Sequence, residues 1–259
     1  MSDVHLTEEI APIINKSNAE ISVLILSENM NISFEKDKKK NAASILKLII
    51  LVNAFYEMEK GEIDPKKEIV IKKDDKVGGM GVLNYLTSPL KLYFKDLVHL
   101  MIILSDNTAS NILIHELSLD KINQFIKYIQ LKNTELQREF MDLNNSKENF
   151  TTCEDVIQIL RIIGEPNKLL STKSREEMLK ILSNQQFKHK LPAYNNNYIE
   201  SDLTFFNKTG EINGIEHDAG ILIKDTKRIY ISILSSGWSN NWEGQKTIGE
   251  IGKRILKYS

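Results

Sequence analysis

The stretch SILKLIILVNAFYEMEK, Ser44 to Lys60, is apolar on nearly every face and stops at Gly61. A helix of that kind cannot lie on a surface, so the rest of the chain is predicted to fold around it. Ile21 to Leu26 and Asn31 to Phe34 read as strands joined by a turn at Glu28 and Asn29, and Leu203 to Lys208, His217 to Lys224 and Ile229 to Ser235 read as three more. Between about residues 62 and 195 helical periodicity takes over, at Phe94 to Leu104, Ala109 to Leu117, Leu119 to Ile129, Glu154 to Ile163 and Ser174 to Leu182. A last helix, about Trp242 to Tyr258, can pack on the sheet beside a first one around Ile10 to Ile14. The expectation is an α+β fold. Residues 1–61 and 195–259 form an antiparallel sheet of about five strands flanked by the N- and C-terminal helices, and residues 62–194 form an inserted all-helical subdomain. A site would sit at their interface.

The central helix carries a serine and a lysine three residues apart in its first turn, where both side chains share one face. A serine hydroxyl is a weak nucleophile until a neighbour takes its proton, and a lysine does so only if burial and nearby positive charge lower its pKa. The SxxK pattern occurs four times, at Ser33/Lys36, Ser44/Lys47, Ser88/Lys91 and Ser118/Lys121. Ser33 falls in a predicted strand, Ser88 precedes Pro89, and Ser118 follows the SDN triplet Ser105–Asp106–Asn107. Only Ser44 opens a buried helix ahead of SDN. Lys208, Thr209 and Gly210 end an apolar strand, where glycine lets a substrate backbone lie along the strand edge. Ser105, Asp106 and Asn107 precede a helix, so the triplet is also an ordinary N-cap, and the two roles are compatible.

SxxK, SDN and KTG in this order resemble the signature of class A β-lactamases and penicillin-binding proteins. GVLNYL from Gly81, LMIILSDNTASNILI from Leu100 and KTGEINGIEHDAGIL from Lys208 look like conserved blocks of the same serine hydrolases, and the likeness runs from Ser22 through the closing helix. The resemblance implies a β-lactamase/transpeptidase-like fold and an acyl-serine mechanism. Ser44 would be the nucleophile and Lys47 its proton acceptor. Ser105 would relay a proton to the leaving nitrogen, Asn107 would bind the substrate amide, and Asp106 would brace the loop. The N–H groups of Ser44 and Glu211 would form an oxyanion hole beside Gly210, and Lys208 and Thr209 would hold a substrate carboxylate. The implied partner is a small molecule, a β-lactam or a D-amino-acid peptide or ester, acting on a monomer without a cofactor.

Two departures from the family pattern stand out. Laid against the loop that carries the deacylating glutamate, Leu136 to Asn144 (LQREFMDLN) keeps Leu143 and Asn144 but puts Phe140 at the glutamate's place. Glu139 is the nearest alternative base, Asn144 is the other residue that could serve deacylation, and the resemblance then implies slow release of the acyl group. His217 falls where many relatives keep an arginine; protonated, it could bind the substrate carboxylate, and neutral, it could be hydrogen-bonded within the sheet. The alternatives are a D-amino-acid carboxypeptidase or esterase and a non-hydrolytic penicillin-binding sensor or trap.

Other chemistries find little support. With 34 Lys+Arg against 35 Asp+Glu there is no basic field for nucleic acid or an anionic membrane. The histidines show no metal spacing, and no GxSxG elbow or GxxxxGK[ST] loop occurs. Cys153 has no second thiol to pair with and reads as a bland, partly buried residue. Asp37 to Lys40 reads as a solvated turn, and Asn195 to Asn197 as an exposed loop. No secretory leader is legible in the first twenty residues and no apolar run reaches about 18 residues, so the expected location is cytoplasmic if Met1 is the natural start and extracytoplasmic if a leader has been removed.

Overall fold

A computed structural model of the chain describes residues 2–142, 144–195 and 203–258. Five strands, β1 (Glu20–Ser27), β2 (Met30–Phe34), β7 (Leu203–Ile212), β8 (Ile215–Lys224) and β9 (Lys227–Ser236), form one antiparallel sheet in the order β2-β1-β9-β8-β7. β9 pairs with β1 across almost the whole chain, Val23 lying opposite Ile233, which brings the two terminal parts into one sheet. β7 is an edge strand.

Period-two alternation divides this sheet between two cores. On one face Ile21, Val23, Ile25, Ile231 and Ile233 pack with Leu6 and Ile10 of α1 (Ser2–Asn15) and Ile248, Ile251 and Ile255 of α8 (Asn241–Ile255). On the other, Leu24, Ala219, Ile221, Tyr230 and Leu234 join the core of the helical block. Because both faces of the sheet are covered at its centre, β1 and β9 read as nearly continuous apolar runs.

At the centre of the helical block lies α2 (Lys47–Glu59), buried from Lys47 through Phe55. It is enclosed by α3 (Phe94–Ile103), α4 (Asn107–Leu117), α5 (Leu119–Tyr128), α6 (Cys153–Gly164) and α7 (Thr172–Ser183). Two short strand pairs lie outside the main sheet: β3 (Lys40–Asn41) with β6 (Phe150–Thr151), and β4 (Glu68–Ile71) with β5 (Leu90–Tyr93). Of these, β4, β5 and β6 fall within residues 62–194, so that stretch carries short strands among its helices.

Smaller expectations need correction. Lys40 is not solvated: it is 4% exposed, lies in β3 and pairs with Glu20 at 2.8 Å. Cys153 is fully buried against the Ser232 carbonyl, and burial pushes its thiol up to about 12. Asn195 closes a turn on Pro192 and is buried, while Asn196, Asn197 and Leu143 lie outside the described residues. Among the described residues no helix is long and apolar enough to cross a membrane.

The dependence on α2 is measurable. Ile49 has no exposed surface, so Ile49→Ala should cost about 2–5 kcal/mol of unfolding free energy through lost burial and a residual cavity. Urea titration should show a lower midpoint at unchanged slope.

Candidate active site

The helix expected to start at Ser44 starts at Lys47. Ala43–Leu46 form a 3-10 turn ahead of it, preceded by the short strand β3, and Ala43 has a left-handed φ of +42°. Ser44 is the second residue of this turn and is half-buried. The edge strand β7 runs against it: a Cβ on Gly210 would lie 3.2 Å from Ser44 N and 3.1 Å from Ile45 N, so a side chain there would press the turn back by a few tenths of an ångström and glycine lets the strand lie this close.

Lys47 reaches across to the SDN residues, with Nζ 2.6 Å from Ser105 O, 3.1 Å from Ser105 Oγ and 2.8 Å from Asn107 Oδ1. Its hydrogen bonds thus go to Ser105 and Asn107 rather than to Ser44. Lys208 enters from β7, 3.0 Å from Ser105 Oγ and 2.7 Å from the Thr209 carbonyl. Neither lysine exposes any surface. Burial, and then the charge of Lys208, push Lys47 well below the usual lysine range, with Asp106 opposing. Lys208 is itself brought down to about 7 by burial and by a further cation, Lys190. A neutral Lys47 has a lone pair, and the Ser105 hydroxyl can donate into it while accepting an N–H from Lys208. The hydroxyl stands between two amines, where a proton can pass from one to the other.

Holding Ser105 there requires unusual backbone. Its φ is +54°, a left-handed conformation that costs about 1 kcal/mol or more for a residue with a Cβ. Asp106 offsets this with three backbone bonds: Oδ2 accepts from Val82 N–H at 2.7 Å and Leu83 N–H at 2.9 Å, and Oδ1 caps α4 through Ala109 N–H at 2.9 Å. A Cβ on Gly81, whose φ is +116°, would collide with that carboxylate. Asp106 thus both braces the loop and caps the helix. Asn107 gives its oxygen to Lys47 and one N–H to the Gly78 carbonyl at 3.1 Å.

Phe140 lies with its ring centroid 4.6 Å from Lys47 Nζ. Its backbone is gripped by the Asn111 amide, which accepts from Phe140 N–H and donates to Phe140 O, both at 2.9 Å. The sequence reading missed Asn111, although it lies four residues beyond Asn107 and so on the same face of α4. Glu139 points away, its Oε1 2.6 Å from Nε2 of the exposed His115. Asn144 is in an exposed turn. Neither of the two residues expected as deacylation candidates is hydrogen-bonded to Lys47.

On the neighbouring strand, His217 is fully buried. Its Nδ1 lies 3.0 Å from the Ser235 N–H and 2.9 Å from the Glu216 carbonyl, and its Nε2 lies 2.8 Å from the Asn41 carbonyl. Burial brings it down to about 4, so it is a neutral histidine bonded to backbone rather than a cation open to a ligand. Thr209 is buried, and the Glu211 carboxylate lies 3.1 Å from Nζ of Lys190. Lys190, in the turn that follows α7, has no exposed surface and escaped the sequence reading because it belongs to no motif. Among the described residues no group of three or more His, Cys, Asp or Glu side chains is placed to hold a metal ion.

Known proteins resemble this chain at several depths. The β-lactamase from Sphaerobacter thermophilus superposes with a TM-score of 0.91 at 25% identity, over 97% of each chain. PBP-A gives a TM-score of 0.88 at 23% identity over 98% of this chain and 95% of its own, a likeness of fold. The β-lactamase CARB-4 of Pseudomonas aeruginosa is 29% identical over 164 residues, which span 62% of this chain and 56% of that protein. The chain's match thus spans little more than half the length of this curated relative. The model of the beta-lactamase enzyme family, however, matches residues 5–259, and with nearly the whole sequence inside that match the chain belongs to this family.

Proposed function

We propose that the chain is a serine acyl enzyme, acylated at Ser44 by β-lactams or related amides and esters and slow to release the acyl group. One observation carries the second half of this reading: an aromatic ring lies beside Lys47, and the carboxylate of the adjacent Glu139 is turned away to His115. In the first step Lys47, neutral, accepts the Ser44 proton as Oγ attacks the carbonyl carbon. The Ser44 and Glu211 N–H groups bind the resulting oxyanion, and Ser105 passes the proton to the departing nitrogen, Lys208 balancing the charge. In the second step water must attack the ester with no carboxylate to activate it, so Lys47 is the remaining base and Phe140 occupies the space above it.

Incubation with a chromogenic cephalosporin, read by colour and by intact mass, tests the reading. The wild-type chain should gain one acyl mass at Ser44 with little turnover, and Ser44→Ala should gain none. Rapid turnover would contradict slow release. No adduct with β-lactams, D-peptides or short esters would leave only the fold in common with the family.

Phe140→Glu should shorten the adduct's lifetime by about tenfold or more, because a positioned general base contributes roughly 10²–10⁴ in rate and an unoptimised one less. An unchanged lifetime would sink the assignment of Phe140 to the glutamate's place. Charge on Lys208 supplies a third measurement. Its ammonium is present below about 7 and is lost as pH rises through that value, so the saturation constant for a carboxylate-bearing β-lactam should increase between pH 6 and 8.5. Lys208→Met should bind weakly with a flat profile over the same range.

A further inference from the structure

The sequence brings two carboxylates face to face across the last sheet pairing, since Glu211 of β7 lies directly opposite Glu216 of β8. Like charges in that position repel, and Glu216 has no exposed surface. Lys190 resolves the conflict. Its Nζ forms a close ion pair with Glu216 and lies 3.1 Å from Glu211 Oε2, while Asn241 and Gln245 donate to the other Glu216 oxygen at 2.8 and 3.0 Å.

Neutralising acid would need no more than that, yet Lys190 Nζ also lies 3.3 Å from two main-chain oxygens, those of Gly210 and His217. The Gly210 carbonyl belongs to the same planar trans peptide as the Glu211 N–H, and in such a plane the two point in opposite directions. A cation held at the carbonyl end fixes the tilt of the whole plane and draws electron density toward oxygen, which makes the N–H at the far end a stronger donor. We infer that Lys190 is a positioning residue for acylation, its ammonium orienting and polarising the Gly210–Glu211 peptide so that the Glu211 N–H meets the oxyanion. The inference rests on the reading of Ser44 and Glu211 given above. It assigns to a buried lysine outside the three motifs a part in the chemical step.

Two roles can be separated by charge. If Lys190 only neutralises Glu211 and Glu216, removing the three charges together restores the site; if it acts on the peptide, it does not. Lys190→Met and the triple variant Lys190→Met/Glu211→Gln/Glu216→Gln are compared with the wild-type chain using benzylpenicillin, following the acyl adduct by mass against time and concentration. The limiting acylation rate should fall tenfold or more in both variants, with the saturation constant within about twofold of wild type. A triple variant acylating at the wild-type rate overturns the assignment. Thermal unfolding checks that each chain is folded, and Lys190→Gln in the same Glu211→Gln/Glu216→Gln background serves if methionine is not tolerated: a tenfold loss there supports the assignment and a wild-type rate overturns it. Absence of any adduct on the wild-type chain is a different result, for it overturns the reading of Ser44 and this inference together.

Discussion

An amine with no exposed surface, set in the first turn of an apolar helix, is the constraint around which the rest of the structure is arranged. Lys47 cannot reach water, so its environment must either supply acceptors for its N–H groups or leave it uncharged. The molecule does both. Ser105 and Asn107 present three oxygens, which requires Ser105 to adopt a left-handed backbone and Asp106 to hold the loop by three main-chain bonds. The SDN triplet is therefore a scaffold for one buried nitrogen as much as a set of reactive groups.

Three buried lysines form a graded series. Lys190 is compensated by two carboxylates and keeps close ion-pair partners, Lys208 has only the more distant pull of Asp218 and Glu211, and Lys47 has a hydroxyl, a carbonyl, an amide and a ring. Each charge makes the next harder to sustain: Lys190 lowers Lys208, and Lys208 lowers Lys47. The result is an amine at the end of the series suited to accept a proton, next to a turn that carries a half-buried serine.

Much of this was legible in the sequence because it depends on local pattern. The enclosed helix, the strand alternation and the helical periods located nearly every long element, and the three motifs marked Lys47, Ser105, Asn107 and Lys208 before any geometry was known. What stayed hidden depends on contacts between segments far apart in the chain. Lys190 and Glu216 look like surface residues until β7 and β8 are paired, and the two-residue strands β3 and β6 have no period to detect. Ser44 was expected inside a helix because helical and 3-10 residues share side-chain preferences; the distinction follows from Ala43, whose left-handed φ no alanine announces. His217 left two readings open in the sequence, and burial selects the neutral one.

Phe140 is where sequence and geometry meet most directly. A carboxylate in its place would form an ion pair with Lys47, raising the amine and lowering the acid, and the two would divide the work of the two steps. A ring does neither. It interacts with a charged amine through its face but offers a neutral one only apolar surface, so it leaves burial and Lys208 to decide the charge of Lys47. On the proposed reading the same substitution that keeps Lys47 ready to begin the reaction also removes the group that would finish it. Fast acylation and slow release are then not two separate properties of the site but two consequences of one side chain that cannot carry a proton.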